Sequence, residues 1–217
     1  MSNIKSIQDK LNEGRQYRDF AGLQQIAEKD DKTVEGYATT FDEPYVLFTH
    51  DNVTVREQLD AHAFDETDLS DVIMQYNHEG RVFARGSNGT LRTVPDEHGL
   101  KIEARLGGTE LGRQLYEEIA GGYTTKMSFG FKVGEDRMDV VEDKETGKVD
   151  ALRTITRIDK LFDVSAVSLP ANDATSISAR SYGEGVISGV MEEIRKRHDR
   201  EEQIDRIKKM LEVNYDD

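Results

Sequence analysis

The chain has 217 residues, 29 Lys and Arg against 43 Asp and Glu, and a formal net charge of −14. So acidic a chain is a poor partner for nucleic acid, which is gripped by clustered Lys and Arg, but suits a protein partner with a basic surface. It has no cysteine, which excludes disulfides, thiolate nucleophiles and thiolate metal sites.

In chain order, residues 1–30 read as a helical or loosely ordered N-terminal arm, or a propeptide. Ile4, Ile7 and Leu11 share a helical face there, and Gly14 interrupts it. The start MSNIKSIQDK lacks the apolar core of a secretory signal. No apolar run in the chain approaches the roughly 18–20 residues of a bilayer span. The expectation is a soluble protein that acts inside the cell that makes it, with no membrane and no nucleic-acid partner.

Strand patterns begin at Thr33. TVEGYATTF (33–41), VTVREQL (53–59), DVIMQYN (71–77), RVFARG (81–86) and GTLRTVPD (89–96) each read as a strand. In GLKIEARL (99–106), Leu100, Ile102, Ala104 and Leu106 alternate with Lys101, Glu103 and Arg105, the mark of a half-buried antiparallel strand. A helix follows, with Thr109 as N-cap, Leu111, Leu115 and Ile119 as its buried stripe and Gly121–Gly122 as its stop. Four further strands are expected at 124–133, 138–142, 149–158 and 161–169. Residues 172–189, rich in Ser, Gly and Ala, read as a linker. Val186, Val190 and Ile194 then share one helical face, and Ile204, Ile207 and Leu211 form a second stripe. The resulting division is an arm at 1–30, a β domain at 31–180 and a linker with a charged helix at 181–217. The fold class is mainly β with flanking helices, an α+β chain whose many short strands suggest a barrel.

Candidate chemistry starts with TTKMSFGFKV. Met127, Phe129, Phe131 and Val133 point to one face of a strand and Lys126, Ser128, Gly130 and Lys132 to the other. The apolar set belongs to the core, which leaves Ser128 on the outward face beside a glycine, a fit place for a nucleophile and also for any small polar residue. A serine nucleophile needs a base. His50, His62, His78, His98 and His198 are the histidines present. His78, at the end of an apolar strand, is the one a sheet would hold with its ring free; His50 and His98 read as loop residues and His198 as solvated. Asp163 interrupts an apolar strand, where an unpaired carboxylate is costly, so it is either an orienting acid or half of an ion pair. Among 43 acidic residues no pair stands out for glycoside hydrolysis. There is no H-E-x-x-H and no Walker-type glycine loop, so no metal or cofactor is expected.

Several segments together resemble the phage prohead protease family, of the HK97-like tailed-phage type. They are EGYATTFDEP (35–44), VREQLDAHAF to MQYNHEGRVFARG (55–86), KMSFGF (126–131) and LFDVSAVSLPAN (161–172). The order and spacing agree, with 50 residues from His78 to Ser128 and 35 from Ser128 to Asp163. The resemblance covers about residues 33–180. It implies a β-barrel surrounded by helices, similar to herpesvirus assemblins. It implies a serine endopeptidase that cleaves scaffold segments, capsid-protein N-terminal regions and itself within the procapsid, in the host cytoplasm. On it Ser128 is the nucleophile, His78 the base and Asp163 the third member, with His98 as the alternative because the herpesvirus relatives use a second histidine. Family members often carry Glu at the position of Asp163 and Asp at that of Glu79. Pro170–Ala171–Asn172 is the oxyanion loop by analogy. Self-association is compatible with all of this, and the competing reading is a non-enzymatic capsid assembly factor.

Overall fold

The computed structural model of the chain describes residues 15–21, 24–25, 32–168 and 177–213. The Ile4, Ile7 and Leu11 stripe and the Pro170–Ala171–Asn172 loop lie outside them. The strands are β1 Gln16–Ala21, β2 Gln24–Gln25, β3 Thr33–Thr40, β4 Tyr45–His50, β5 Val53–Leu59, β6 Ile73–Tyr76, β7 Glu79–Arg85, β8 Leu91–Pro95, β9 Gly99–Arg105, β10 Lys126–Asp143 and β11 Lys148–Val167. The helices are α1 Glu110–Ala120 and α2 Ile177–Val213. The chain is therefore mainly β with two helices among the described residues.

The strands form two sheets. One runs β1-β10-β11-β5-β4, with β6 paired to β11 and to β7; the other runs β2-β3-β9-β8. Neither order returns to its first strand, so the described strands form no closed barrel. Most pairings are antiparallel, as alternation predicts, but β6 lies parallel to β11.

The chain divides into two compact units, Met1–Tyr45 with Glu57–Arg137 and Arg153–Asp173, and Val46–Arg56 with Met138–Leu152 and Ala174–Asp217. The first unit has a core that includes Leu59, Met74, Ile102, Phe129, Phe131 and Ile158, all buried. Each such side chain contributes roughly 1.5–3 kcal/mol by leaving water. In the second unit, Val190 and Ile194 of α2 pack with Val53, Val55, Val140 and Val149.

Several expectations need correcting. Residues 16–21, expected in a helical or loose arm, form β1. The four strands expected after residue 124 are two long ones. Their polar interruptions stay extended because ion pairs replace apolar contacts there: Arg157 donates to Glu135 across the strands and to Asp159 along its own. The linker expected at 172–189 is helical from Ile177 onward. Its glycines cost about 1 kcal/mol each relative to Ala, but the packing of Val190 and Ile194 further along stabilises the helix, as tertiary contacts usually do. In α1, Thr109 caps as expected, its hydroxyl accepting from the Gly112 N–H at 3.0 Å. Leu115 and Ile119 are buried, but Leu111 is 38% exposed and off the stripe. Ile204 and Ile207 are exposed.

Candidate active site

Strand β10 carries Ser128. Its alternation is as expected, with Met127, Phe129 and Phe131 buried in the core. The expectation that Ser128 faces outward fails: the residue is 0% exposed. The face opposite the core is itself covered, by the His78 imidazole on one side and, beside Gly130, by the Asp163 carboxylate. Strand β1 also pairs along this edge, with Tyr17 opposite Gly130 and Asp19 opposite Ser128.

The turn between β6 and β7 delivers His78. Tyr76 pairs with Glu79, so Asn77 and His78 are the whole connection. Both have left-handed backbones, with φ 52° and 60°, as a two-residue type I′ hairpin requires. That conformation costs a non-glycine residue on the order of 1–3 kcal/mol and persists only where the surroundings impose it. Here they do. The Asn77 N–H donates to the Ala166 carbonyl at 2.9 Å, and the Asn77 Oδ1 accepts from the Ser168 N–H at 3.0 Å. The turn is thereby locked to the end of β11, and the parallel register sets Ile73 opposite Asp163 and Tyr76 opposite Ala166.

These elements bring three of the expected residues together. The His78 ring places Nε2 2.7 Å from the Ser128 Oγ and Nδ1 2.5 Å from the Asp163 Oδ1. A carboxylate can only accept, so Nδ1 carries the proton and Nε2 is free to accept from the serine hydroxyl. Ser165, two residues along on the same face of β11, donates to the same Oδ1 at 2.9 Å. The Asp163 side chain is 1% exposed and that of His78 16%. Gly130 is required by this packing: a Cβ there would fall on the Asp163 Oδ2 and lie 2.9 Å from the Tyr17 ring.

The other Asp163 oxygen is less well served. Oδ2 is buried and has no hydrogen-bond partner among the described residues, a deficit typically costing about 1–3 kcal/mol. The cation paired with it is Arg15, whose Nη1 is 3.8 Å away. The Tyr17 ring packs against that of His78 with centroids 4.2 Å apart. Sequence reading missed Arg15, Tyr17 and the Asn77 clamp, because all three act through pairings between segments far apart in the chain.

The remaining histidines lie elsewhere. His98 packs edge-on against Tyr37 at 4.5 Å, in the turn between β8 and β9; among the described residues, no hydrogen bond or ring contact joins it to His78 or Ser128. His62 pairs with Asp65 on the surface, and His50 with Asp51. His198, expected to be merely solvated, meets Glu142 at 2.8 Å.

A serine hydroxyl, an imidazole and a buried carboxylate joined in that order form the arrangement on which serine hydrolases of unrelated folds converge. The family model of the caudovirus prohead serine proteases matches residues 22–186, and the chain belongs to that family. Membership makes it a phage serine protease of the prohead class. No curated protein and no solved structure matches the chain.

Proposed function

We propose that this chain is a serine endopeptidase with Ser128 as nucleophile, His78 as base and Asp163 as orienting acid. Its substrates on this reading are scaffold segments, the N-terminal region of the major capsid protein and its own chain, inside the assembling procapsid in the host cytoplasm. The observation that carries the reading is the continuous run of bonds from Ser128 Oγ through His78 to Asp163. The architectural expectation of an assemblin-like barrel belongs to the same proposal and rests on the family resemblance.

The chemistry follows from the geometry. His78 Nε2 takes the hydroxyl proton as Ser128 Oγ attacks the scissile carbonyl, and Asp163 stabilises the imidazolium that forms. Collapse of the tetrahedral intermediate breaks the C–N bond, and His78 returns the proton to the leaving amine. Water, activated by the same imidazole, then hydrolyses the acyl-enzyme. Backbone N–H groups must bind the oxyanion, each donor worth about 10²–10³ in rate; the Pro170–Ala171–Asn172 loop is the assignment by analogy. Because Ser128 is fully buried, substrate entry requires a covering segment to move.

That burial also suits the competing reading, a non-enzymatic assembly factor in which Ser128 is structural. Coexpression with the phage's major capsid protein separates the two. Wild type is expected to shorten the capsid chain, as read by intact mass, and Ser128→Ala to leave it full length with the protease still folded. Equal shortening by both would remove Ser128 from the reaction.

A further inference from the structure

The N-terminal segment ahead of the family-matched region reaches the site. Arg15 and Tyr17 precede residue 22, where that match begins, yet both touch the Ser128–His78–Asp163 run. Among the described residues, two buried side-chain polar atoms lack a hydrogen-bond partner: Arg15 Nε and Asp163 Oδ2. They belong to the two members of one ion pair, Arg15 Nη1 lying 3.8 Å from Oδ2. The Arg15 guanidinium is itself held 3.9 Å above the Phe162 ring, a cation–π seat on the residue next to Asp163. Tyr17 packs on the other partner of the acid, the His78 ring.

We infer that Arg15 is a positioning residue for this site, supplying the counter-charge that holds the Asp163 carboxylate aimed at His78, with Tyr17 fixing the plane of the imidazole. The inference rests on the serine-protease reading above. Its physical content is electrostatic. A nearly unexposed carboxylate is costly unless a cation or donors compensate it. His78 and Ser165 meet Oδ1, and among the described residues Arg15 is the cation beside Oδ2. An Asp163 turned away from His78 would hold neither the Nδ1–H tautomer nor the imidazolium. The ladder from Gln16 to Ala21 along β10, with Arg18 bonded to Glu57, holds the segment in place. On this inference residues 15–21 belong to the site.

The test is the rate at which a fluorophosphonate labels the full chain, with the label located by peptide mass spectrometry. Arg15→Gln is expected to label about ten- to a hundredfold more slowly, the usual scale for a displaced catalytic group. Arg15→Lys, which keeps the charge, is expected to restore most of the rate. A purely structural role would lower the rate of both variants alike, and that result overturns the inference. So does a chain lacking residues 1–21 that labels faster than wild type, because the segment would then be a block. If the wild type itself is not labelled at Ser128 while Ser128→Ala is labelled equally, the serine reading fails instead.

Discussion

Two buried carboxylates in the same unit have opposite surroundings. Glu57 is 0% exposed and fully engaged. Its Oε1 accepts from Arg18 Nε and from the Tyr45 hydroxyl at 2.5 Å, and its Oε2 from Arg18 Nη2 at 2.9 Å and Arg153 Nη1 at 2.7 Å. Asp163 is as deeply buried but has two donors on one oxygen and a cation at 3.8 Å from the other. Burial alone would push the Glu57 carboxyl up, yet the two guanidiniums and the Tyr45 hydroxyl hold it below the usual carboxylate range. Around Glu57 each charge has its partners, which is how a buried ion cluster becomes tolerable. Around Asp163 one side is left under-satisfied while the other is committed to a base. The pair teaches that burial of an acid does not itself mark function; the distribution of its donors does.

The comparison breaks most sharply at Asp163→Asn. An amide presents N–H groups as well as an oxygen, so it can turn a donor toward His78 Nδ1 and favour the wrong tautomer. Labelling of Ser128 is expected to fall on the order of 10⁴-fold, as such a swap does in other serine proteases. Thermal stability is expected to hold or rise, because an incompletely compensated buried charge disappears. A variant that labels at the wild-type rate would take Asp163 out of the site.

The same swap at Glu57 should do the reverse. Glu57→Gln leaves Arg18 and Arg153 facing a neutral amide, a break that typically costs about 3–5 kcal/mol, while the folded molecules keep labelling at Ser128. Denaturant melts at several pH values carry the sign. Because the folded Glu57 value is lowered, its contribution is present in full above the unfolded glutamate value of about 4.3 and is lost as pH falls through the folded one. The stability gap between wild type and Glu57→Gln should therefore be constant near neutrality and close in acid. A gap that is absent at pH 7 would mean the cluster stabilises nothing.

The two carboxylates were not equally read from the sequence. Asp163 was read as an anomaly, a charge inside LFDVSAVSL, and alternation put Ser165 on its face. Glu57 was passed over, although alternation in VTVREQL puts it on the inward face with Val53, Val55 and Leu59. Its partners Arg18 and Arg153 lie 39 and 96 residues away, and no local pattern encodes that meeting. Alternation likewise assigned the two faces of β10 correctly but could not reveal that both are covered. Strand extents failed at 134–137 and 159–160 for a related reason: polarity there signals a turn unless a facing strand offers the opposite charge. The position of His78 was legible as a strand end, whereas its left-handed backbone came from the Asn77 clamp on β11.

The smallest effect expected is at Gly130, and it tests whether the space around Asp163 is as specific as its charge. Two glycines of β10 have no room for a Cβ, but their obstacles differ. At Gly130 the neighbours are the buried Asp163 carboxylate and the Tyr17 ring; at Gly134 they are the ends of the Asp159 and Arg157 side chains, which are about a third exposed. Surface chain ends move aside cheaply, whereas a buried carboxylate bonded to His78 and Ser165 moves only by lengthening those bonds. Gly130→Ala is thus expected to destabilise by about 1–3 kcal/mol, the usual scale of overpacking, and also to slow Ser128 labelling. Gly134→Ala should cost less and leave labelling unchanged. Equal losses of stability with unaltered labelling in both would mean that Asp163 tolerates displacement, and the tight seat inferred for it beside Gly130 would be wrong.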